Sequence, residues 1–257
     1  MMEGTIMKKI STLIVTLLFT LSAIAEESKD YTQWDTFRFT INNQYAKKFT
    51  ENMRAHIKKY HVKAPLKTKI YNVTYGPNAN ELIWVMGPVS FSELDARPDN
   101  KKHDEDWADN INPYITAYNQ SEIWRNMEGL VINNLDEKSP SPEKFSARYL
   151  TVNSNQEPEV VKYLLMQVKE TLVKIGKVKY WAIMENQFIQ GDENGRHLMG
   201  ISSMDSWAEL DEDWEFGKHF EELYGKGSFK AFRVNYSTVI KNQWHEIISV
   251  NKEMSGL

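Results

Sequence analysis

Tyr45, Phe49, Met53 and Ile57 recur every four residues, which predicts a helix with one apolar face. Around it the period shortens to two. Residues 34–41 predict an opening strand, and 67–75 with 82–86 predict a hairpin around Gly76-Pro77-Asn78. Residues 91–118 predict a second helical region, broken near Pro98, and 123–132 a closing strand. The same order then begins again. A strand is expected around 145–152, followed by a helix carrying Val161, Leu164, Leu165, Val168, Leu172 and Ile175. Pro158 sits in that helix's first turn and Gly176 just past its end.

Direct matches support a repeat. Ser90-Phe91-Ser92-Glu93-Leu94-Asp95 pairs with Ser206-Trp207-Ala208-Glu209-Leu210-Asp211. In the same register Lys102-His103 falls on Lys218-His219, and Glu105 on Glu221. Lys67 to Tyr71 aligns with Lys177 to Trp181, the extra length lying in a hairpin around 191–195. Trp124-Arg125 aligns with Phe232-Arg233, and Phe39-Thr40-Ile41-Asn42 with Leu150-Thr151-Val152-Asn153. The fold class is therefore α+β: two ferredoxin-like β-α-β-β-α-β repeats, at 26–135 and 144–257, joined by a proline-punctuated linker at 136–143. In the strand around 177–185, Val178, Tyr180, Ala182 and Met184 alternate with Trp181 and Ile183, so both faces are apolar. Two sheets packed face to face, helices outside, would cover both.

The first 25 residues read differently. Lys8-Lys9 precede an apolar stretch too short to span a bilayer, and Ala23-Ile24-Ala25 supplies a small-x-small cleavage site. This predicts a cleaved signal peptide and a periplasmic or secreted protein, soluble once released. There is no cysteine, so neither disulfides nor a lipid-anchored cysteine are available. The net charge of −4 becomes one unit more negative when Glu3, Lys8 and Lys9 leave. An acidic chain without a basic tract argues against a nucleic-acid partner, and no second run approaches membrane-spanning length.

With the element order and the Ser-x-x-Glu-Leu-Asp-to-His segment in hand, the chain resembles the dimeric α/β-barrel superfamily. That superfamily includes antibiotic-biosynthesis monooxygenases and NIPSNAP-like proteins. The resemblance implies a homodimer fused into one chain, forming an intrachain pseudo-dimeric barrel. It also implies that the second helical region borders a pocket and can carry a functional histidine, here His103 or His219.

Several residues could carry chemistry. Glu93 and Glu209 fit capping boxes with Ser90 and Ser206, which explains them without catalysis. His103 and His219 are the candidate catalytic residues, as general bases or as an axial ligand to haem, weighed against plain packing. Arg125 and Arg233 sit at matching places on the expected final strands, and Arg38 and Arg148 on the opening strands. They could bind an anion or pair with nearby acids. Tyr71, Trp84 and Trp181 could line a pocket for a flat molecule, or be core. Trp207, Leu210 and Trp214 form a helical packing stripe, and Asp211, Asp213 and Glu215 the solvated side of a helix. No zinc-protease, dinucleotide, P-loop or nucleophile-elbow motif occurs. The expectation is a binder of a small aromatic or anionic molecule, using no cofactor. The alternatives are a cofactor-independent monooxygenase, a haem-handling variant, and an interaction module without a pocket.

Overall fold

A computed structural model describes residues 31–136, 138, 141–188 and 191–257. The expected signal peptide lies outside the described residues.

The first half runs β1 (Gln33–Ile41), α1 (Ala46–Tyr60), β2 (Thr68–Tyr75), β3 (Leu82–Met86), α2 (Phe91–Asp95), α3 (Lys101–Asn110) and β4 (Ile115–Asn133). The second runs β5 (Lys144–Val152), α4 (Pro158–Ile175), β6 (Tyr180–Asn186), α5 (Gly191–Asn194), β7 (Leu198–Met204), α6 (Phe216–Tyr224), α7 (Ser228–Val239) and β8 (Ile240–Val250). A short α8 (Lys252–Ser255) follows. The eight strands close into one barrel in the order β1-β3-β2-β8-β5-β7-β6-β4, every neighbouring pair antiparallel. Within each half the spatial order is the same: last strand, first, third, second. The halves join through β2 against β8 and β4 against β6.

Strand alternation then sorts the core into three layers. Residues pointing outward meet the helices: Phe39, Trp84 and Met86 pack on Phe49, Met53 and Ile57 of α1. On the other side Leu150, Trp181, Ile183 and Leu198 pack on Leu164, Leu165 and Leu172 of α4 and on Phe220 and Phe232. Residues pointing inward, among them Tyr71, Ile83, Trp124, Tyr149, Met184 and Met199, fill the barrel. The doubly apolar strand is thus explained: Tyr180 and Met184 face the interior, Trp181 and Ile183 the helices. Val178 precedes β6 and packs with the helix layer instead. Gly176, at φ +72°, ends α4 as its C-cap.

Some sequence expectations fail for definable reasons. The helical region expected to reach residue 118 stops at Asn110; a 3-10 turn holding Pro113 follows, and β4 begins at Ile115. The match of Phe232-Arg233 to a final strand is wrong. Phe229, Phe232, Tyr236 and Val239 recur at helical spacing on α7, and the true partner of β4 is the following strand β8. The hairpin expected around 191–195 contains a helical turn, α5. Trp207–Asp211 is a 3-10 turn, so Trp207 and Leu210 are left exposed while Trp214 packs. Asp213 and Glu215 lie in the link to α6 rather than on a helix side.

Candidate functional site

The barrel interior is not completely filled. A cavity of about 310 Å³ remains, walled by Trp34, Ile83, Trp124, Met184, Met199 and Ile201, with Phe145 and Ile248. That volume is at the small end of ligand pockets.

A polar column crosses this apolar space. Tyr149 of β5 stands between two buried guanidiniums, Arg38 at 5.2 Å and Arg196 at 4.0 Å from its ring centre. Arg38 donates to the Tyr149 hydroxyl and to Glu246, both at 2.6 Å, and to Glu81 at 3.0 Å. Arg196 grips Glu122 through Nε at 2.5 Å and Nη2 at 2.7 Å, and the Trp124 indole donates to the same carboxylate at 3.0 Å. Burial alone would lower both arginines. Tyr149 with Glu246, and Tyr149 with Glu122, outweigh it and hold each above its ordinary range. The pairs cross between halves: Arg38 of the first binds Glu246 of the second, and Arg196 of the second binds Glu122 of the first. One group is left over. Arg196 Nη1 is buried without a hydrogen-bond partner.

The rim of the cavity brings in Lys69, Tyr71 and Tyr180, with Leu135 at the end of the first half and Ser141 and Pro142 of the inter-half linker. Burial pushes the Tyr71 phenol up to about 12, with Tyr180 adding to the effect, and burial raises Tyr180 as well. Both stay protonated donors at neutral pH. Burial pulls the Lys69 ammonium below its ordinary range, Lys67 contributing. Among the described residues, no carboxylate pairs with Lys69.

The sequence-predicted site residues fall in five places. Tyr71 lines the barrel cavity. Trp181 and Arg233 line a second pocket, of about 500 Å³, between the second half's sheet and α4 and α7. Arg233 is on α7, not on a final strand. Arg125 packs over the Tyr31 ring at 4.0 Å and binds Gln33. Trp84 lies on the outer face of β3, where His61 meets its edge at 4.8 Å between ring centres. His103 stands there too, beside His61 and His56, and not at the barrel cavity. Burial holds His61 down to about 4; it also lowers His56, against the opposing bond from Asp106. His219, on α6, lies 3.4 Å from Glu222 and lines neither pocket. Arg38 and Arg148 prove to face opposite ways: Arg38 enters the barrel, whereas Arg148 bonds His245 and lines the outer pocket. Matching Arg38 to Tyr149 instead, as the Phe39–Leu150 alignment requires, puts both inside. Glu122, Tyr149, Arg196 and Glu246 were missed by the sequence reading. Glu122 and Glu246 carry a signal, charge at inward strand positions, whereas Tyr149 is uncharged and Arg196 precedes β7.

No protein-family model matches the chain, and no curated protein does. Solved structures do. An anthrone oxidase-like protein is 13% identical with a TM-score of 0.50, covering 86% of this chain and 92% of its own. A single-substitution mutant of chlorite dismutase from Candidatus Nitrospira defluvii is 8% identical with a TM-score of 0.53, covering 88% of this chain and 94% of its own. The same enzyme in complex with imidazole matches at 7% identity and 0.53 over the same shares. These matches concern the fold. They also correct the expectation of no cofactor, because chlorite dismutase is a haem protein built on this architecture. Haem requires an axial ligand. The 500 Å³ pocket offers Met204, Tyr236 and Glu209 as iron-binding groups but no histidine. Neither His103 nor His219 reaches it. The lining does not fit a histidine-ligated haem.

Proposed function

We propose that this chain, which has the fold of the dimeric α/β-barrel superfamily, binds a small, largely apolar organic acid inside the barrel. The observation that carries this reading is a buried, unpaired donor, Arg196 Nη1, on a residue in the wall of a largely apolar cavity. Lys69 at the rim adds a cation that no carboxylate among the described residues pairs, and Tyr71 and Tyr180 add neutral donors. Aromatic and methionine walls suit a single ring. A hydrogen bond to a charged group is worth about 1.5–3 kcal/mol, or roughly 10- to 100-fold in affinity.

Calorimetric titration of the mature chain with benzoate-class acids and their amides and methyl esters tests this. The acids bind more tightly than the neutral forms, and Lys69→Gln narrows the gap while leaving thermal stability unchanged. Neutral analogues binding as well as the acids would remove the anionic reading.

A second reading, oxidation of a phenol or quinol, draws on the anthrone oxidase-like and chlorite dismutase folds. Among the described residues no carboxylate at the cavity is free to act as a base, since Glu122 is held by Arg196 and Trp124. Oxygen uptake across a hydroquinone panel separates the two: binding without uptake favours the binder.

The same proposal treats 26–135 and 144–257 as tandem ferredoxin-like copies of one unit. It is supported by the shared strand order and by the Glu93 and Glu209 caps at matching positions. It also treats 1–25 as a cleaved leader for export. Exported protein should then begin at Glu26 by N-terminal sequencing; one that keeps Met1 would overturn this part.

A further inference from the structure

Outside the barrel, on the helix-covered face of the first half, three histidines converge. His56 lies in α1, His61 caps the C-terminus of α1, and His103 lies in the first turn of α3. Their ring centres are 4.8–5.3 Å apart. One nitrogen from each lies within 4.8 Å of the other two.

The hydrogen bonds decide which nitrogens these are. His56 Nδ1 is 2.7 Å from the Asp106 carboxylate, His61 Nδ1 is 3.0 Å from the Leu66 carbonyl, and His103 Nδ1 is 2.9 Å from the Asp104 carboxylate. A carboxylate or carbonyl only accepts, so every Nδ1 carries a proton and donates it. In neutral rings every Nε2 is then a bare lone pair. The Nε2 atoms of His61 and His103 face each other at 3.1 Å, and His56 Nε2 is buried with no partner. Three inward lone pairs repel unless a cation sits between them. Each ring is also oriented as metal-bound imidazoles are, its far nitrogen tied to a carboxylate or carbonyl.

We propose that His56, His61 and His103 bind a divalent transition ion of the zinc class through their Nε2 atoms. Two nitrogens 2.0–2.1 Å from a tetrahedral zinc stand about 3.3 Å apart, close to the His61–His103 spacing. Imidazole-only ligation suits zinc, copper, nickel and cobalt, and excludes calcium and magnesium, which take oxygen. Asp104 and Asp106 offset part of the ion's charge. Trp84, Trp107 and Tyr60 surround the rings, and His103 is partly exposed, giving the ion a way in. The ion ties the end of α1 to the start of α3.

The test uses the untagged mature chain, stripped with EDTA and dialysed against Zn²⁺ or Co²⁺. Wild type takes up one equivalent of zinc, gains thermal stability with it, and shows the visible bands of tetrahedral Co²⁺. His103→Gln, at the most exposed ligand, stays folded by circular dichroism and loses the bands. Asp106→Asn weakens binding roughly 10- to 100-fold by releasing the His56 ring. His219→Ala binds as wild type does. A folded wild type that takes up no zinc or cobalt, or a His103→Gln chain that binds unchanged, overturns the proposal.

Discussion

At the scale of single residues, charge pairing inside the barrel should dominate the response to mutation. Glu122 holds Arg196 with two bonds, both side chains almost fully buried. Glu122→Gln leaves that guanidinium without its counter-charge, and we expect a loss of roughly 3–5 kcal/mol in denaturant unfolding. His219→Ala removes a partly exposed ring from a helix surface, and should change stability by no more than about 0.5 kcal/mol. It should leave acid binding untouched. A large effect at His219 with none at Glu122 would reverse the assignment of structural weight. At this scale the sequence was least legible. His103 was visible as a repeated position, but His56 and His61 were not, because five residues on an α-helix do not return to one face. What aligns them is the break at the end of α1, where His61 leaves the helix. Arg38 and Arg148 show the same limit: a one-residue ambiguity on a strand exchanges the inside of the barrel for the outside.

Elements were far more legible. Period-four and period-two patterns located β1, α1, the β2–β3 hairpin, β5 and α4 to within a few residues. The predicted caps also formed. Glu93 accepts from the Ser90 amide at 2.6 Å while Ser90 Oγ accepts from the Glu93 amide at 3.2 Å, and Glu209 accepts from Ser206 at 2.9 Å. Ser90→Ala should cost about 0.5–2 kcal/mol, read by thermal unfolding. α7 is hidden by the repeat: its alignment places Phe232-Arg233 on a strand, against the helical spacing of Phe229, Phe232 and Tyr236. The β2–β3 turn carries a sharper constraint. Gly76 has φ +119°, and a Cβ there would come within 2.5 Å of the His245 carbonyl and 2.8 Å of Glu246 Cγ. Gly76→Ala should therefore cost at least about 1 kcal/mol and also disturb the Glu246 carboxylate that holds Arg38. Acid binding should fall with stability in this variant, in contrast to Ser90→Ala.

On the scale of the molecule, neither half has a finished surface. Separated, each would expose the inward side of its four strands and two free edges, β2 and β4 in one, β6 and β8 in the other. Cutting the linker should leave the halves associated. Expressed alone, 31–135 or 144–257 should be poorly packed or aggregated, and mixing the two should restore a one-to-one complex on size exclusion. Independent, monomeric halves would contradict the closed barrel. This level was readable from one strand whose two faces were both apolar, since only a second layer on each side removes such a strand from water. The cavity was not readable, because it is the volume left when eight strands from both halves meet.

The short α8 has a consequence in time. Its Met254 enters the core beneath α1, and the Ile70 amide donates to Ser255 Oγ at 2.9 Å across 185 residues of sequence. A ribosome adding 5–20 residues per second reaches Ser255 roughly 10–40 s after Ile70. Throughout elongation the first half therefore waits, unsealed, for a plug that the chain delivers late. A polypeptide that cannot close early stays open along its length until its last residues are made.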